Sequence, residues 1–487
     1  MRWFRFYLLL LTSTVMSSVM AASAPGKNAI ASAHPLATQA GMEILAAGGN
    51  AFDAAVAVTA ALAVVEPYSS GIGGGGFWLL HRASDGFQTM VDGRETTPAA
   101  GHRDMYLDKE GNVIPGASMD GPLSAGIPGV PAAMGHLAKN YGTLPLAKTL
   151  APAIKLANQG FEVDAYYARM AGFRLQAIQA SPEASRLFLK DNAVPPEGHV
   201  ITQPDLALTL QAIADKGFDG FYKGEVAKKL VDGVRANGGI WTLKDLANYQ
   251  IKERQPITIR YRDMNITTAA PPSSGGVALA TILNILEGYD LKSADEATRK
   301  HLIVEAMRRA YRDRAIYLGD PDFVDVPVAQ LSDKNYAAGL RASIRADKAT
   351  PSSSLPGIHS PAGGFHTTHF SILDKAGNRV SATVTVNYPF GSGFVPAGTG
   401  VLLNDEMDDF SAKPGTPNAY GLVGAEANAI APGKRPLSSM SPSFIDTQDR
   451  VAVLGTPGGS RIITMVLLGI LDFADGNGPQ SWVSKGR

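Results

Sequence analysis

A strand pattern that begins at Thr367 constrains this 487-residue chain more than any other feature. The preceding segment, residues 350–364 (TPSSSLPGIHSPAGG), is rich in Pro, Ser and Gly, a composition typical of chain without regular packed structure. From Thr367 onwards polar and apolar side chains alternate, and a second alternating run occupies residues 380–387 (VSATVTVN). The sequence therefore predicts a strand that starts directly after a cleavable linker.

The two alternating runs are predicted to form a β-hairpin. Residues 374–378 (DKAGN) are typical of a short hairpin loop, in which Gly377 can adopt a positive φ. Pairing the polar faces places Thr367 opposite Thr385, with Asn387 one step diagonal. This arrangement suggests a nucleophile with assisting groups. Threonine pairs also occur in hairpins for reasons of strand propensity alone, so the pattern by itself leaves both interpretations open.

The composition excludes several classes of function. The chain has 44 basic and 44 acidic residues, and no basic cluster indicates a nucleic-acid partner. It contains no cysteine, which removes disulfides, thiol nucleophiles and cysteine–metal sites. Neither a G-x-S-x-G motif, nor H-E-x-x-H, nor a P-loop is present. We therefore expect no metal and no cofactor.

Residues 1–22 predict an export signal. Arg2 and Arg5 precede the apolar residues 6–11, and the small residues 21–24 offer a cleavage site. The apolar part is short for a membrane span. We expect a periplasmic or secreted protein without membrane attachment once the signal is removed.

The remaining elements predict a layered α/β protein. Helical patterns occupy residues 34–48 and 50–65, and the second is so apolar that it is expected to lie buried between layers. Residues 129–318 are mostly helical in pattern, whereas the chain after the linker is rich in strand patterns. This order favours a sandwich of helices and sheets.

Two other patterns are interpreted as structural. Residues 71–76 satisfy G-x-G-x-x-G, but a helix precedes and a strand follows, which reverses the order of a dinucleotide site. We expect these glycines to let the backbone pass close to a neighbouring element or a ligand. Arg308, Arg309 and Arg312 lie opposite an apolar helical stripe and predict a solvated or salt-bridged surface.

Several motifs in a fixed order resemble those of the gamma-glutamyltransferase (glutathione hydrolase) family. They are Thr367–His369, Asn387, Leu403–Phe410 (LNDEMDDF), Pro436–Pro442 (PLSSMSP) and Pro457–Arg461 (PGGSR). The resemblance extends from about Lys27 to about Trp482. It implies the N-terminal-nucleophile hydrolase fold, a four-layer αββα sandwich. The family continues for some dozens of residues beyond Arg487, so we expect a fold that is incomplete at the C-terminus.

The resemblance also implies self-processing. Thr367 would cut its own preceding peptide bond, producing a large subunit (residues 23–366) and a small subunit (residues 367–487, truncated relative to the family) from one precursor. Thr367 would then be the nucleophile and its freed α-amine the base, since such an amine has a pKa of roughly 7.7–8.0. Thr385 would assist it.

Further roles follow from the same resemblance. Gly458 and Gly459 would form the oxyanion hole, in a strand–helix turn that could equally be an ordinary connection. A γ-glutamyl group has both an α-carboxylate and an α-ammonium. The carboxylate would be bound by Arg94, Ser438 and Ser439, the ammonium by Glu406 and Asp409 with Asn387, and Tyr420 in a lid loop (residues 410–424) would latch onto Asn387.

The expected activity is cleavage of the γ-glutamyl bond of glutathione and related compounds. The γ-glutamyl group would pass to water, or to amino-acid or peptide acceptors. One alternative is an acylase for glutaryl-type (cephalosporin) side chains, although these lack the ammonium that Glu406 and Asp409 would bind. A non-catalytic periplasmic binding protein or an inactive truncated relative is the other.

Self-cleavage gives the first testable prediction. The purified protein should give two bands on a denaturing gel, with a new N-terminus at Thr367 by mass spectrometry, whereas Thr367→Ala should stay one chain. A new N-terminus at another position, apart from the signal-cleavage end, would contradict the assignment of the nucleophile.

Overall fold

The computed structural model describes residues 25–355, 367–418 and 420–484. The predicted signal peptide and residues 356–366 of the linker lie outside this part of the chain. No helix within it is long and apolar enough to span a bilayer.

The described part of the chain contains twelve strands, seventeen α-helices and five short 3₁₀ helices. The strands are β1 (Ala29–Ala31), β2 (Gly75–Arg82), β3 (Phe87–Asp92), β4 (Phe161–Glu162), β5 (Val200–Ile201), β6 (Lys252–Arg254), β7 (Ile257–Tyr261), β8 (Met264–Thr268), β9 (Thr368–Leu373), β10 (Arg379–Thr385), β11 (Ser443–Asp446) and β12 (Val451–Leu454). The helices are α1 (Pro35–Ala46), α2 (Ala51–Val65), α3 (Val130–Asn140), α4 (Leu146–Gln159), α5 (Ala165–Phe173), α6 (Leu175–Gln179), α7 (Pro182–Phe188), α8 (Pro204–Lys216), α9 (Asp219–Tyr222), α10 (Gly224–Ala236), α11 (Leu243–Ala247), α12 (Gly275–Leu286), α13 (Glu296–Tyr317), α14 (Val328–Leu331), α15 (Lys334–Ala342), α16 (Ile462–Ala474) and α17 (Pro479–Ser484).

Two antiparallel sheets form the centre of the molecule. The first has the order β1-β9-β10-β2-β3-β6 and the second β12-β11-β8-β7. Alternate residues of β2 show how the layers stack: Trp78 packs toward α2, whereas Phe77 packs toward the second sheet and α12. Helices thus cover the outer face of each sheet, and the predicted αββα sandwich is confirmed.

The central hairpin has the predicted register. The loop between β9 and β10 spans residues 374–378, and Thr368 pairs with Val384, which places Thr367 opposite Thr385. Every residue of β10 is buried, polar ones included, because this strand lies between helices on one face and the second sheet on the other.

Helix α2 is held by its N-terminus as well as by its apolar surface. Asn50 caps it, and the carboxylate of Asp53 returns a hydrogen bond to the Asn50 backbone at 2.9 Å. The same carboxylate is fully buried and accepts from the Thr143 N–H, the Thr143 hydroxyl and the Leu144 N–H. A charge inside an apolar helix is therefore satisfied by donors from the loop before α4.

The structure corrects one expectation. The salt bridge expected for Arg309 is present, to Glu305 at 2.6 Å, but the side chain is only 1% exposed and does not lie on the surface. A local pattern does not reveal that α13 is covered on its polar side by the segment at residues 340–350, which provides acceptors for Arg309.

The Asp53 contacts give a stability prediction. In the Thr367→Ala background, Asp53→Ala should lower the free energy of unfolding by roughly 3 kcal/mol, because several buried donors lose a charged acceptor. Urea unfolding followed by circular dichroism measures this. Asp219→Ala removes an acidic side chain that is 56% exposed, and should change stability by no more than about 0.5 kcal/mol. Equal effects would contradict the proposed role of Asp53.

Candidate active site

A small pocket opens where β9 begins. Ten of the eleven predicted site residues line it: Arg94, Thr367, Thr385, Asn387, Glu406, Asp409, Tyr420, Ser438, Ser439 and Gly459. Gly458 adjoins Gly459 but does not line it. Leu422, Met440 and Ile462, which the sequence analysis did not single out, add apolar walls.

Two threonine hydroxyls meet at one end of the pocket. Thr367 Oγ1 lies 3.3 Å from Thr385 Oγ1, and the Asn387 N–H donates to Thr385 Oγ1 at 2.8 Å. Since Thr385 already accepts from Asn387, its own hydroxyl hydrogen can be donated to Thr367 Oγ1. Such a donor stabilises negative charge on the Thr367 oxygen.

The backbone around these hydroxyls is unusual. Thr367 has φ 125° and Asn387 has φ 75°, both in the region that favours glycine. At Asn387 the conformation is held by its side chain, whose amide donates to the Asp405 carbonyl at 3.0 Å. The chain therefore turns sharply after β10, and the side-chain amide of Asn387 points toward the acidic turn at residues 405–409.

The glycine-rich loop before β2 permits this arrangement. A Cβ atom on Gly74 would lie 2.0 Å from the Thr385 carbonyl oxygen, and one on Gly73 would lie 2.0 Å from the Leu402 carbonyl oxygen. Both are backbone clashes, so only glycine fits. The expected close approach to a neighbouring element is confirmed.

The Gly458–Gly459 turn stands between β12 and α16. Gly458 has φ 135° and Gly459 has φ 54°, and neither N–H donates to an acceptor within the described ranges. Gly459 lines the same pocket as Thr367, and free amides near a reacting carbonyl can stabilise an oxyanion.

Arg94 contributes the buried charge of the pocket. It is fully buried; Nη1 donates to Glu406 Oε1, Nη2 donates to Asp409 Oδ2, and Glu95 Oε2 lies 3.6 Å from Nη1. The two side chains predicted to bind an ammonium are therefore joined to the one predicted to bind a carboxylate. Asp92, two residues before Arg94, accepts from the Arg94 backbone N–H at 2.9 Å and pairs with the side chain of Arg254 at 2.7 Å.

The pKa values within this cluster are strongly shifted. Burial raises the pKa of Glu95 well above its usual value, and the Glu406 carboxylate adds to that shift. Burial also raises the pKa of Glu406 and Asp409, against the opposing charge of Arg94. The pKa of Arg94 itself is raised, because the carboxylates outweigh the effect of its burial. These shifts arise because three acidic side chains lie close to one buried guanidinium.

Ser438, Ser439 and Tyr420 complete the pocket. Ser438 Oγ accepts from the Met440 N–H at 3.1 Å, and Ser439 Oγ accepts from Arg314 Nη2 at 3.2 Å. The Tyr420 hydroxyl donates to the Asn387 carbonyl at 2.6 Å, so the expected contact with Asn387 is present, made to its backbone. Asp408 points away from the pocket and accepts from Ser118 at 2.6 Å.

Sequence reasoning missed Arg314 and Ser274, which lie behind the two serines. Arg314 Nε donates to Ser274 Oγ at 3.0 Å, and Ser274 Oγ donates to the Ser438 carbonyl at 2.7 Å. The signal in the sequence was the run of small residues 273–276 (SSGG) at the start of α12, since such residues are typical of a close contact between two segments.

A threonine at the start of a central strand in an αββα sandwich, beside free backbone amides, is the arrangement of an N-terminal-nucleophile hydrolase. The chain belongs to the gamma-glutamyltranspeptidase family, whose sequence profile matches residues 37–487. It is 49% identical over 455 residues to the glutathione hydrolase proenzyme of Pseudomonas sp. strain A14, which covers 92% of this chain and 78% of that protein.

Solved structures agree with the sequence comparison. The gamma-glutamyltranspeptidase of Helicobacter pylori matches with a TM-score of 0.65 and 41% identity, covering 68% of this chain and 97% of that one. The cephalosporin acylase of Bacillus halodurans matches with a TM-score of 0.81 and 29% identity, covering 95% and 83% respectively. The fold is therefore shared by a gamma-glutamyltranspeptidase and a cephalosporin acylase.

The Arg94 cluster generates a kinetic prediction. Arg94→Lys keeps the positive charge but loses the two parallel N–H donors of the guanidinium. Because one charge-assisted hydrogen bond is lost, KM for γ-glutamyl-p-nitroanilide should rise about tenfold to a hundredfold. The matched control is Arg103→Lys, an arginine 44% exposed that pairs with Glu426. Unchanged kinetics in Arg94→Lys would show that Arg94 only pairs locally.

Proposed function

We propose that this protein is a self-processing threonine amidohydrolase that cleaves γ-glutamyl amides such as glutathione. The observation that supports this most directly is the proximity, in one small pocket, of the Thr367 hydroxyl and the oppositely charged Arg94–Glu406–Asp409 cluster. A hydroxyl nucleophile and groups for a zwitterionic acyl chain are the two requirements of the reaction.

The reaction begins with attack of Thr367 Oγ1 on the γ-carbonyl carbon. The free α-amine of Thr367 takes the hydroxyl proton, while Thr385 donates to the attacking oxygen. The N–H groups of Gly458 and Gly459 stabilise the tetrahedral oxyanion. The amine returns the proton to the departing amide nitrogen, the C–N bond breaks, and an ester on Thr367 forms.

The ester then passes its acyl group to an acceptor. Water or the amino group of an amino acid or peptide attacks the ester carbonyl, and the α-amine takes a proton from it and gives it back to Thr367 Oγ1. This restores the enzyme. The α-amine exists only after the bond before Thr367 is cut, which is why large and small subunits from one precursor are part of the proposal.

Substrate selection follows from the charges of the pocket. A γ-glutamyl group brings one ammonium and one carboxylate, so it can exchange partners with the resting ion pairs without changing the net charge. The ammonium binds Glu406 and Asp409 with Asn387 nearby, and the carboxylate binds Arg94, Ser438 and Ser439. Tyr420 closes the lid loop over this end, since its ring lies against Gly459 and its hydroxyl against Asn387.

A second candidate is an acylase for glutaryl-type side chains, because a cephalosporin acylase shares the fold. A glutaryl group has a carboxylate but no ammonium. It would release Arg94 from Glu406 and Asp409 and leave both carboxylates buried without a cation, which is costly. The acidic pair therefore favours the γ-glutamyl substrate. Residues 1–22 support a periplasmic or secreted location for either activity.

Asp409→Asn separates the two candidates. Loss of a charge-assisted contact with a buried ammonium should lower kcat/KM for γ-glutamyl-p-nitroanilide about tenfold to a hundredfold. The poorer activity on glutaryl-p-nitroanilide should be largely retained. Self-cleavage should persist, because it requires Thr367 and its neighbours but no bound glutamyl group.

Asp408→Asn is the matched control. Asp408 is adjacent in the chain but contacts Ser118, so the ratio of the two activities should stay at the parent value. Equal losses on both substrates in fully processed Asp409→Asn would show that Asp409 is structural, and the assignment of the ammonium site would be wrong.

A further inference from the structure

A second buried guanidinium, that of Arg314, lies behind the serines of the pocket. It projects from α13, is 4% exposed, and contacts Ser439 Oγ and Ser274 Oγ. Arg308, Arg309 and Arg312 of the same helix each pair with an acidic side chain. Arg314 forms no such pair with any carboxylate in the part of the chain that the structure describes.

An unpaired buried guanidinium is costly, and a fold does not gain stability from it. Burial lowers the pKa of Arg314, and the carboxylate that chiefly opposes this is Asp409, which is already bound to Arg94. The position of Arg314 beside the pocket makes it a cation whose counter-ion can arrive with a ligand.

The hydrogen bonds around the serines define which way their hydroxyls point. Ser439 Oγ accepts from Arg314, and Ser438 Oγ accepts from the Met440 N–H. Arginine and backbone N–H groups only donate, so each serine keeps its own hydroxyl hydrogen for another acceptor. Both hydroxyls are therefore prepared as donors, which matches the two oxygens of a carboxylate.

Ser274 connects Arg314 to the backbone of Ser438. Its hydroxyl accepts from Arg314 Nε and donates to the Ser438 carbonyl, and its N–H also donates to that carbonyl at 2.8 Å. Ser274, the residue before α12, thereby links the Ser438–Ser439 segment to Arg314. Ser273 and Ser274 are both fully buried, consistent with a rigid support.

We propose that Arg314 is a positioning residue for the substrate α-carboxylate: with Ser274 it orients Ser438 and Ser439 as donors, and its charge neutralises the carboxylate they bind. This inference rests on the proposed function. When the substrate ammonium binds Glu406 and Asp409, Arg94 alone faces the carboxylate, and Arg314 adds the second cation from behind the serines. Recognition of the carboxylate would thus depend on a residue that does not line the pocket.

Three chromogenic amides test this assignment in the processed enzyme. The γ-glutamyl-p-nitroanilide contains both charges, glutaryl-p-nitroanilide only the carboxylate, and 4-aminobutanoyl-p-nitroanilide only the ammonium. Arg314→Gln should lower kcat/KM about tenfold to a hundredfold for the first two and less than about threefold for the third. Arg314→Lys, which keeps the charge, should restore part of the loss, and Arg312→Gln on the same helix is the control. Equal losses on all three amides, or no loss, would overturn the proposal.

Equilibrium binding separates this inference from the proposed function. Calorimetry should show that Arg314→Gln weakens binding of L-glutamate at least tenfold but leaves 4-aminobutanoate, which lacks the α-carboxylate, unchanged. A parent protein that binds L-glutamate in this Arg314-dependent manner yet cleaves no γ-glutamyl amide contradicts the proposed function alone. A parent that cleaves the amide while Arg314→Gln binds L-glutamate normally contradicts this inference alone. Failure of the parent to bind L-glutamate would contradict both.

Smaller substitutions keep the test decisive if Arg314→Gln does not fold, which its failure to self-cleave would reveal. Ser439→Ala removes one of the oriented donors, and Ser274→Ala removes the link between Arg314 and Ser438. Both should show the same dependence on the α-carboxylate, with a smaller loss for Ser274→Ala. Losses that do not distinguish the three amides would overturn the role assigned to this network.

Discussion

Buried opposite charges hold the two halves of the site together. Arg94 follows β3, far before the linker, whereas Glu406 and Asp409 lie in a turn after β10, and the guanidinium bonds to both carboxylates with almost no exposure to water. Breaking such a contact leaves an uncompensated buried charge, which typically costs about 3–5 kcal/mol. The position of the acidic turn, and with it the Asp405 carbonyl that holds Asn387, depends on this contact.

The ion pairs of Arg94 also bear on how a charged ligand would enter this buried pocket under the proposed function. A ligand with only a carboxylate or only an ammonium would lose its hydration shell on entry. The protein group of opposite charge would still be engaged in its own ion pair. A ligand with both charges replaces one set of ion pairs with another, so the desolvation cost is met on both sides at once. Under the proposed function, selectivity for a zwitterion would be a property of the whole cluster.

Sequence reasoning was most successful where the physics is local. Alternation and loop composition predicted the pairing of Thr367 with Thr385, because side-chain parity permits no shift by a single residue. It was wrong about Arg309, whose cover comes from a segment more than thirty residues away, as its bond to the Leu340 carbonyl shows. The union of Arg94 with Glu406, separated by 312 positions, and the support of Ser439 by Arg314 follow from packing between distant segments, which no local period encodes. The family resemblance predicted which residues belong to the site. The ion pairs among those residues became visible only in the structure.

The order of strands in the first sheet has a consequence for the reversibility of unfolding after the chain is cleaved. The β9–β10 hairpin lies between β1 and β2, so chain from after the linker is hydrogen-bonded on both sides to chain from before it. Cutting the bond before Thr367 separates the two pieces covalently but leaves this interleaved sheet intact. A molecule that folds as one chain would then unfold as two, and reassembly would need an encounter between separate polypeptides whose strands must interdigitate. Its lifetime would be set by the rate of first unfolding, with no practical route back.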